Sequence, residues 1–220
     1  MRLYVFDVDG TLLRTNRLDA RCFLKVANDY VDFSGQVPDW NEFEHATAAG
    51  IARELLSRAG VDELERTVGE IRSSFLETLE QAVENGEAIG EIEGARRTLQ
   101  QLENESGVAS AIATGDWEPS SKFKLGRAGL PVEDIPFACS DDAVARAEII
   151  ETAVDRARRT FDTDFDSIVY VGDGVWDVRA ARACEIEFVG VGTGRHAQRL
   201  RDAGAETVLS DLAAGNLPRK

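Results

Sequence analysis

Three short segments pair carboxylates or a hydroxyl with glycine, each directly after a run of strand-forming residues. They are Asp7-Val8-Asp9-Gly10-Thr11, Thr114-Gly115-Asp116 and Gly172-Asp173-Gly174-Val175-Trp176-Asp177. Open α/β sheets bind ligands beyond the carboxyl ends of their strands, so a parallel sheet would bring these segments to one edge. Three carboxylates gathered there without matching bases could not all stay ionised unless a cation joined them. Hard oxygen ligands select Mg²⁺ over softer metals. Arg146 opens a helix after the strand near Ala138. Its guanidinium, the Thr114 hydroxyl and backbone N–H groups around Gly115 can hold phosphoryl oxygens. This set suits phosphoryl transfer, because the cation offsets the repulsion between a carboxylate nucleophile and a phosphate dianion.

Taken singly, each piece has a plain structural reading. Asp9-Gly10 is a common turn pair, Thr114 or Asp173 would serve as a helix cap, and Arg146 would sit on a helix surface. Their order, with each segment at a strand end, favours a shared site. Away from these segments, His45, Thr47 and Arg53 near Gly50 read as solvated or helix-packing residues. Arg14, Arg17 and Arg21 read as a solvated helical face. Trp117 and Trp176 flank two of the segments and fit either core packing or a lid.

The elements that must position this chemistry follow from the hydrophobic rhythm. Leu3–Val8 is a short apolar run ending in acids and Gly10, a buried strand that delivers Asp7 and Asp9 to a loop. From about Leu18 to Val83 the pattern is helical, with Leu64, Val68, Ile71, Phe75 and Leu79 among the apolar positions. After a glycine-punctuated piece, Asn85–Gly94, strands and helices alternate. Strands are expected at Val108–Ala113, Ile135–Ala138, Ser167–Val171, Glu187–Val191 and Thr207–Leu209. Helices are expected at Ala95–Glu103, Pro119–Ala128, Val144–Thr160 and Val175–Ala183, with one more before the last strand. Such alternation predicts an α/β fold: a doubly wound, Rossmann-like parallel sheet covered on both faces. The helical stretch then reads as a module inserted after the first strand. The expected division is a catalytic core of residues 1–16 and 88–220 and an all-helical cap of residues 17–87.

Composition narrows the partners. The chain has 220 residues, 43% of them hydrophobic, and a formal charge of −15. Apolar content at this level builds a core without staples. The acidic balance argues against a nucleic-acid surface, which needs clustered Lys and Arg, and suits a divalent cation. No apolar run approaches a membrane span, and acids at positions 7 and 9 do not suit a signal peptide, so the reading is a soluble cytoplasmic protein. Cys22, Cys139 and Cys184 lie far apart, and His45 and His196 are the only histidines. Neither a disulfide framework nor a zinc site is expected.

The three segments together resemble the haloacid dehalogenase superfamily, in the branch of phosphoglycolate phosphatase-like hydrolases with an inserted helical cap. Asp7–Thr11 is similar to its DxDGT signature, Thr114 to its second motif, and Gly172–Asp177 to its GDxxxD motif. The resemblance implies Asp7 as a nucleophile that forms an aspartyl-phosphate, and Asp9 as general acid and then base. It implies Mg²⁺ held by the Asp7 carboxylate, the Asp9 backbone carbonyl and the Asp173 carboxylate, with Asp177 supporting them. Thr114, Gly115 and Arg146 would bind the phosphoryl group of a small phosphorylated metabolite. The chain departs from the family at the third motif, where a lysine is usual and Arg146 stands instead; a planar fork binds phosphate differently from a point charge. Lys122 and Lys124 are alternatives that come too early in the chain. The presence of Asp9 argues against a dehalogenase. A phosphomutase would share the core chemistry, and a phospho-acceptor or a silent phosphate binder are the non-enzymatic alternatives.

Overall fold

The computed structural model describes residues 1–33, 37–213 and 217–218. Six parallel strands form one sheet in the order β3-β2-β1-β4-β5-β6. In chain order they are β1 (Arg2–Phe6), β2 (Val108–Ala113), β3 (Phe137–Ala138), β4 (Ser167–Gly172), β5 (Glu187–Val191) and β6 (Thr207–Leu209). The helices are α1 (Asn16–Ala27), α2 (Ala48–Arg58), α3 (Leu64–Glu84), α4 (Ala95–Glu103), α5 (Glu118–Ala128), α6 (Arg146–Phe161), α7 (Val175–Ala183) and α8 (Gly194–Asp202).

β1 is central, with Phe6 in register with Ile112 of β2 and Val171 of β4. Side chains alternate across a strand, and β1 shows the consequence. Tyr4 and Phe6 enter a core with Leu99 of α4 and Leu125 of α5, while Leu3 and Val5 enter another with Ile149 and Ile150 of α6. Both faces are therefore covered, which is why the strand reads as continuously apolar. Chain order reverses on either side of β1, and the crevice beyond its end lies at this switch point.

A separate apolar cluster joins α1, α2 and α3 through Phe23, Leu56, Ile71, Phe75 and Leu79, with Trp117 from the start of α5. The two connections to this helical unit run side by side. Arg14 N–H donates to the Gly90 carbonyl at 2.8 Å, and Ile92 N–H donates to the Leu12 carbonyl at 2.8 Å.

Some boundaries differ from the sequence expectation for local reasons. β1 stops at Phe6 and not at Val8, because the Val8 carbonyl accepts from the N–H groups of Leu12 and Leu13 (2.9 Å each) and turns the chain. β3 is only Phe137–Ala138; Pro136 has no N–H to give to a ladder. Among the described residues, no helix is long and apolar enough to cross a membrane.

Candidate active site

The end of β1 is tied to β4 by the Asp7 N–H, which donates to the Val171 carbonyl at 2.9 Å. This places a carboxylate that is only 4% exposed at the floor of the crevice. Asp7 Oδ1 accepts from Arg146 Nη1 at 3.0 Å, and Thr11 Oγ1 lies 3.4 Å from Oδ2. Asp173, from the β4–α7 loop, and Asp177, in the first turn of α7, stand beside it. Each of these three carboxylates has an oxygen within 4.8 Å of the others. Asp177 Oδ2 accepts from the Gly174 N–H at 2.8 Å, and its Oδ1 lies 3.2 Å from the Tyr170 hydroxyl and 3.3 Å from Arg146 Nε. Asp173 Oδ2 accepts from Asn16 Nδ2 at 2.8 Å and lies 3.5 Å from His196 Nε2. The loop must be glycine at position 10: φ is +87°, and a Cβ there would lie 2.0 Å from Asp173 Oδ2.

The electrostatics of this group call for a cation. Burial pushes the Asp7 carboxyl well above its usual range, Asp177 adds to the push, and Arg146 pulls against it. Asp177 is pushed up to about 6, chiefly by burial and then by Asp173, with Arg146 opposing. Three buried carboxylates face one guanidinium, and the excess negative charge is what a divalent ion neutralises. An all-oxygen donor set fits Mg²⁺.

Asp9 lies in a second acidic group with a cation already built in. Lys124, from α5, is completely buried. Its Nζ lies 2.6 Å from Asp9 Oδ1 and 2.9 Å from Asp116 Oδ2, and it also bonds Asp19 of α1. The Thr15 hydroxyl donates to Asp9 Oδ1 as well. Burial alone would raise the Asp9 carboxyl, but Lys124 and hydrogen bonds from Asp19 and Thr15 hold it below its usual range. Asp19 goes the other way: burial and the Asp9 charge push it well up. Burial would lower the Lys124 ammonium, yet Asp116, Asp19 and Asp9 together raise it, so it stays charged.

Arg146 is the joint between the two halves of the molecule. Besides Asp7 and Asp177, it donates from Nη2 to the Ala46 carbonyl at 3.1 Å. A Cβ on Gly115 would lie 2.1 Å from that same Nη2, so the absent side chain lets the guanidinium through. Next to it the Ala48 N–H donates to the Gly115 carbonyl at 2.7 Å, and the Thr47 hydroxyl donates to the Val144 carbonyl at 2.8 Å. The helical unit is thus closed onto the strand ends. Thr114 is buried, with its N–H committed to the Ala138 carbonyl (3.0 Å) and its Oγ1 accepting from the Asp116 N–H (3.2 Å). Its hydroxyl proton is the group it can offer to a ligand.

A cavity of about 220 Å³ contains Asp7, Asp9, Thr114, Gly115, Arg146 and Asp173 in its lining. Asp177 stands behind them, fully buried. Of the other residues weighed in the sequence, Trp176 lines the cavity and Trp117 is buried in the helical cluster. Arg53 pairs with Glu65, Arg21 pairs with Glu87, and Thr47 caps α2 through the Gly50 N–H. Lys122 is exposed and pairs with Glu118. Lys124, set aside because it comes early in the chain, instead reaches Asp9. α5 follows β2 directly, so its lysine is carried beneath the strand-end loops however far it lies from Arg146 in sequence. Thr15, Asn16, Asp19 and Tyr170 were not singled out; the signal for Tyr170 was a polar aromatic inside an otherwise aliphatic strand.

A family model described as haloacid dehalogenase-like hydrolase matches residues 4–191. The chain belongs to this family. No curated protein matches it in sequence. Among solved structures, this haloacid dehalogenase-like chain is similar to a hydrolase from Pseudomonas syringae (TM-score 0.72, 19% identity, covering 97% of this chain and 95% of that one). It is also similar to a putative beta-phosphoglucomutase from Bacteroides vulgatus (0.70, 17%, 97% and 85%). A third is CbbY from Rhodobacter sphaeroides in complex with phosphate (0.66, 23%, 96% and 95%). At these identities the likeness is one of fold, and the haloacid dehalogenase-like assignment rests on the family match.

Proposed function

We propose that the chain is a Mg²⁺-dependent phosphomonoester hydrolase, working through an aspartyl-phosphate on Asp7, with residues 17–87 as its cap. The observation that carries this reading is Asp7 itself. It is a buried carboxylate at the floor of the cavity, flanked by Arg146 at 3.0 Å and by two further carboxylates. Family membership supports the class of reaction.

In this reading the Asp7 and Asp173 carboxylates and the Asp9 backbone carbonyl hold the ion, with Asp177 behind them. Bound there, Mg²⁺ would keep Asp7 ionised and screen the incoming phosphate dianion. The remaining work belongs to side chains. Arg146 and the Thr114 hydroxyl hold phosphoryl oxygens, and the Gly115 backbone leaves room for them to approach. Asp7 attacks phosphorus, and the alcohol leaves with a proton from Asp9. Asp9 enters this step protonated, and Lys124 beside it steadies the carboxylate left behind. Water then attacks the aspartyl-phosphate with Asp9 as base, which restores the protonated acid.

The test is inorganic phosphate release from a panel of phosphomonoesters with Mg²⁺ or EDTA, for the wild type and Asp7→Asn. Release that needs both the ion and Asp7 is expected. Undiminished release by Asp7→Asn would remove Asp7 as nucleophile.

A further inference from the structure

The cavity is chemically divided. Asp7, Asp9, Asp116, Arg146 and Asp173 line its floor, Asp19 of α1 is the one charged group that the helical unit adds, and Arg146 is the only cation lining it among the described residues. Its upper wall, from the helical unit, is made by Ala20, Phe23, Trp40, Ala48, Ile51 and Phe75. Among these six side chains the Trp40 indole N–H is the single hydrogen-bonding group, and none accepts a hydrogen bond. The rings are held in place by their neighbours. Phe23 stacks on Trp117 and meets Trp40 and Phe75 edge-on, with centroids 6.0–6.3 Å apart. Asp9, Asp19 and Asp116, which also line the cavity, would repel a second phosphate.

We infer that the substrate carries one phosphoryl group on a compact, apolar alcohol of about the size of a single ring, and is neither a sugar phosphate nor a bisphosphate. This rests on the hydrolase reading above. A hydroxyl-rich leaving group would surrender its water to this wall with few partners in return, chiefly Asn16, Asp19 and the indole N–H groups of Trp40 and Trp176. A second phosphate would find no free cation, because Arg146 serves the first. The cavity, about 220 Å³, is smaller than the roughly 300–1,000 Å³ of drug-sized ligand sites.

The experiment compares kcat/KM for benzyl phosphate, glucose 6-phosphate and fructose 1,6-bisphosphate with Mg²⁺. Benzyl phosphate and glucose 6-phosphate release primary alcohols, so a difference between them reports recognition more than intrinsic reactivity. Binding of the same compounds to Asp7→Asn is followed in parallel by tryptophan fluorescence, since Trp40 and Trp176 line the cavity. Benzyl phosphate should be preferred by roughly 100-fold, and Ile51→Asn should raise its KM about tenfold. Turnover of the sugar phosphates at an equal or higher kcat/KM would overturn the inference and leave the hydrolase reading standing. No turnover, with tighter binding of benzyl phosphate to Asp7→Asn, would retire the hydrolase reading and leave standing only the cavity's preference for an apolar phosphoester. No turnover and no binding preference would overturn both.

Discussion

Lys124 Nζ lies 2.6 Å from Asp9 Oδ1, at the centre of a buried group that also contains Asp19 and Asp116. The lysine supplies the positive charge that balances this carboxylate cluster. The Asp7, Asp173 and Asp177 group has only Arg146 in that role and could hold a divalent ion, while Lys124 holds the Asp9 carboxyl below its usual range.

Replacing Lys124 by methionine keeps the volume and removes the charge, leaving buried carboxylates without their counter-ion. Breaking such a pair from one side costs about 3–5 kcal/mol, and urea unfolding should register that loss. The acid limb of the pH–rate profile should also move upward, because Asp9 would no longer be held below its usual range. An unchanged urea midpoint would mean that the cluster relaxes by taking up protons or water.

Without metal, stability should fall as pH rises from about 4 to 6. Asp177 is raised from 3.8 to about 6 in the folded chain, so in that window the folded state binds more protons than the unfolded one. Stability then drops with pH by roughly 3 kcal/mol from this carboxyl alone and levels off above pH 6. Asp7 shifts in the same direction. Denaturation midpoints in EDTA across this range check the slope. Added Mg²⁺ should recover stability at the upper end, since a ligand of the native state stabilises it.

Asp9→Asn and Asp173→Asn should fail differently. In the proposed mechanism the first removes the proton-handling group and should lower kcat by roughly 10²–10⁴-fold, with the Mg²⁺ requirement little changed, because there Asp9 offers the ion only its backbone carbonyl. The second removes a carboxylate ligand and should raise the Mg²⁺ concentration needed for half-maximal rate. Metal titrations of both variants decide the assignment, and a shift for Asp9→Asn alone would reverse it.

Gly115→Ala tests the route by which Arg146 reaches the site. Its Cβ would lie 2.1 Å from Arg146 Nη2 and 3.3 Å from the Ala46 carbonyl. The guanidinium must move by about an ångström, and kcat/KM should fall roughly 10²-fold. Arg146→Lys should not restore it, since an ammonium cannot span Asp7, Asp177 and the Ala46 carbonyl as the fork does. Full activity in Gly115→Ala would show that Arg146 is not positioned through this gap.

Much of this protein was legible in the chain alone, for a local reason. Strand and helix periods differ, and a strand that ends in acid and glycine announces a loop at the carboxyl edge. Asp7, Thr114, Gly115 and Asp173 could therefore be read from their neighbours, as could the parallel sheet and the helical stretch after β1. Arg146 could be nominated, but its bond to the Ala46 carbonyl could not, because that carbonyl comes from a loop of the helical unit far away in the chain. Lys124 could be named only as an alternative to Arg146, and its place beside Asp9 and Asp19 was beyond reach. A lysine on an amphipathic helix is ordinarily a solvated group, and only the docking of α1 over α5 seals this one among three carboxylates. Sequence patterning determines which backbone segments converge on the site. Which side chains lose their water there is decided by packing between elements distant in the chain, and the charge state of each acid follows from that loss.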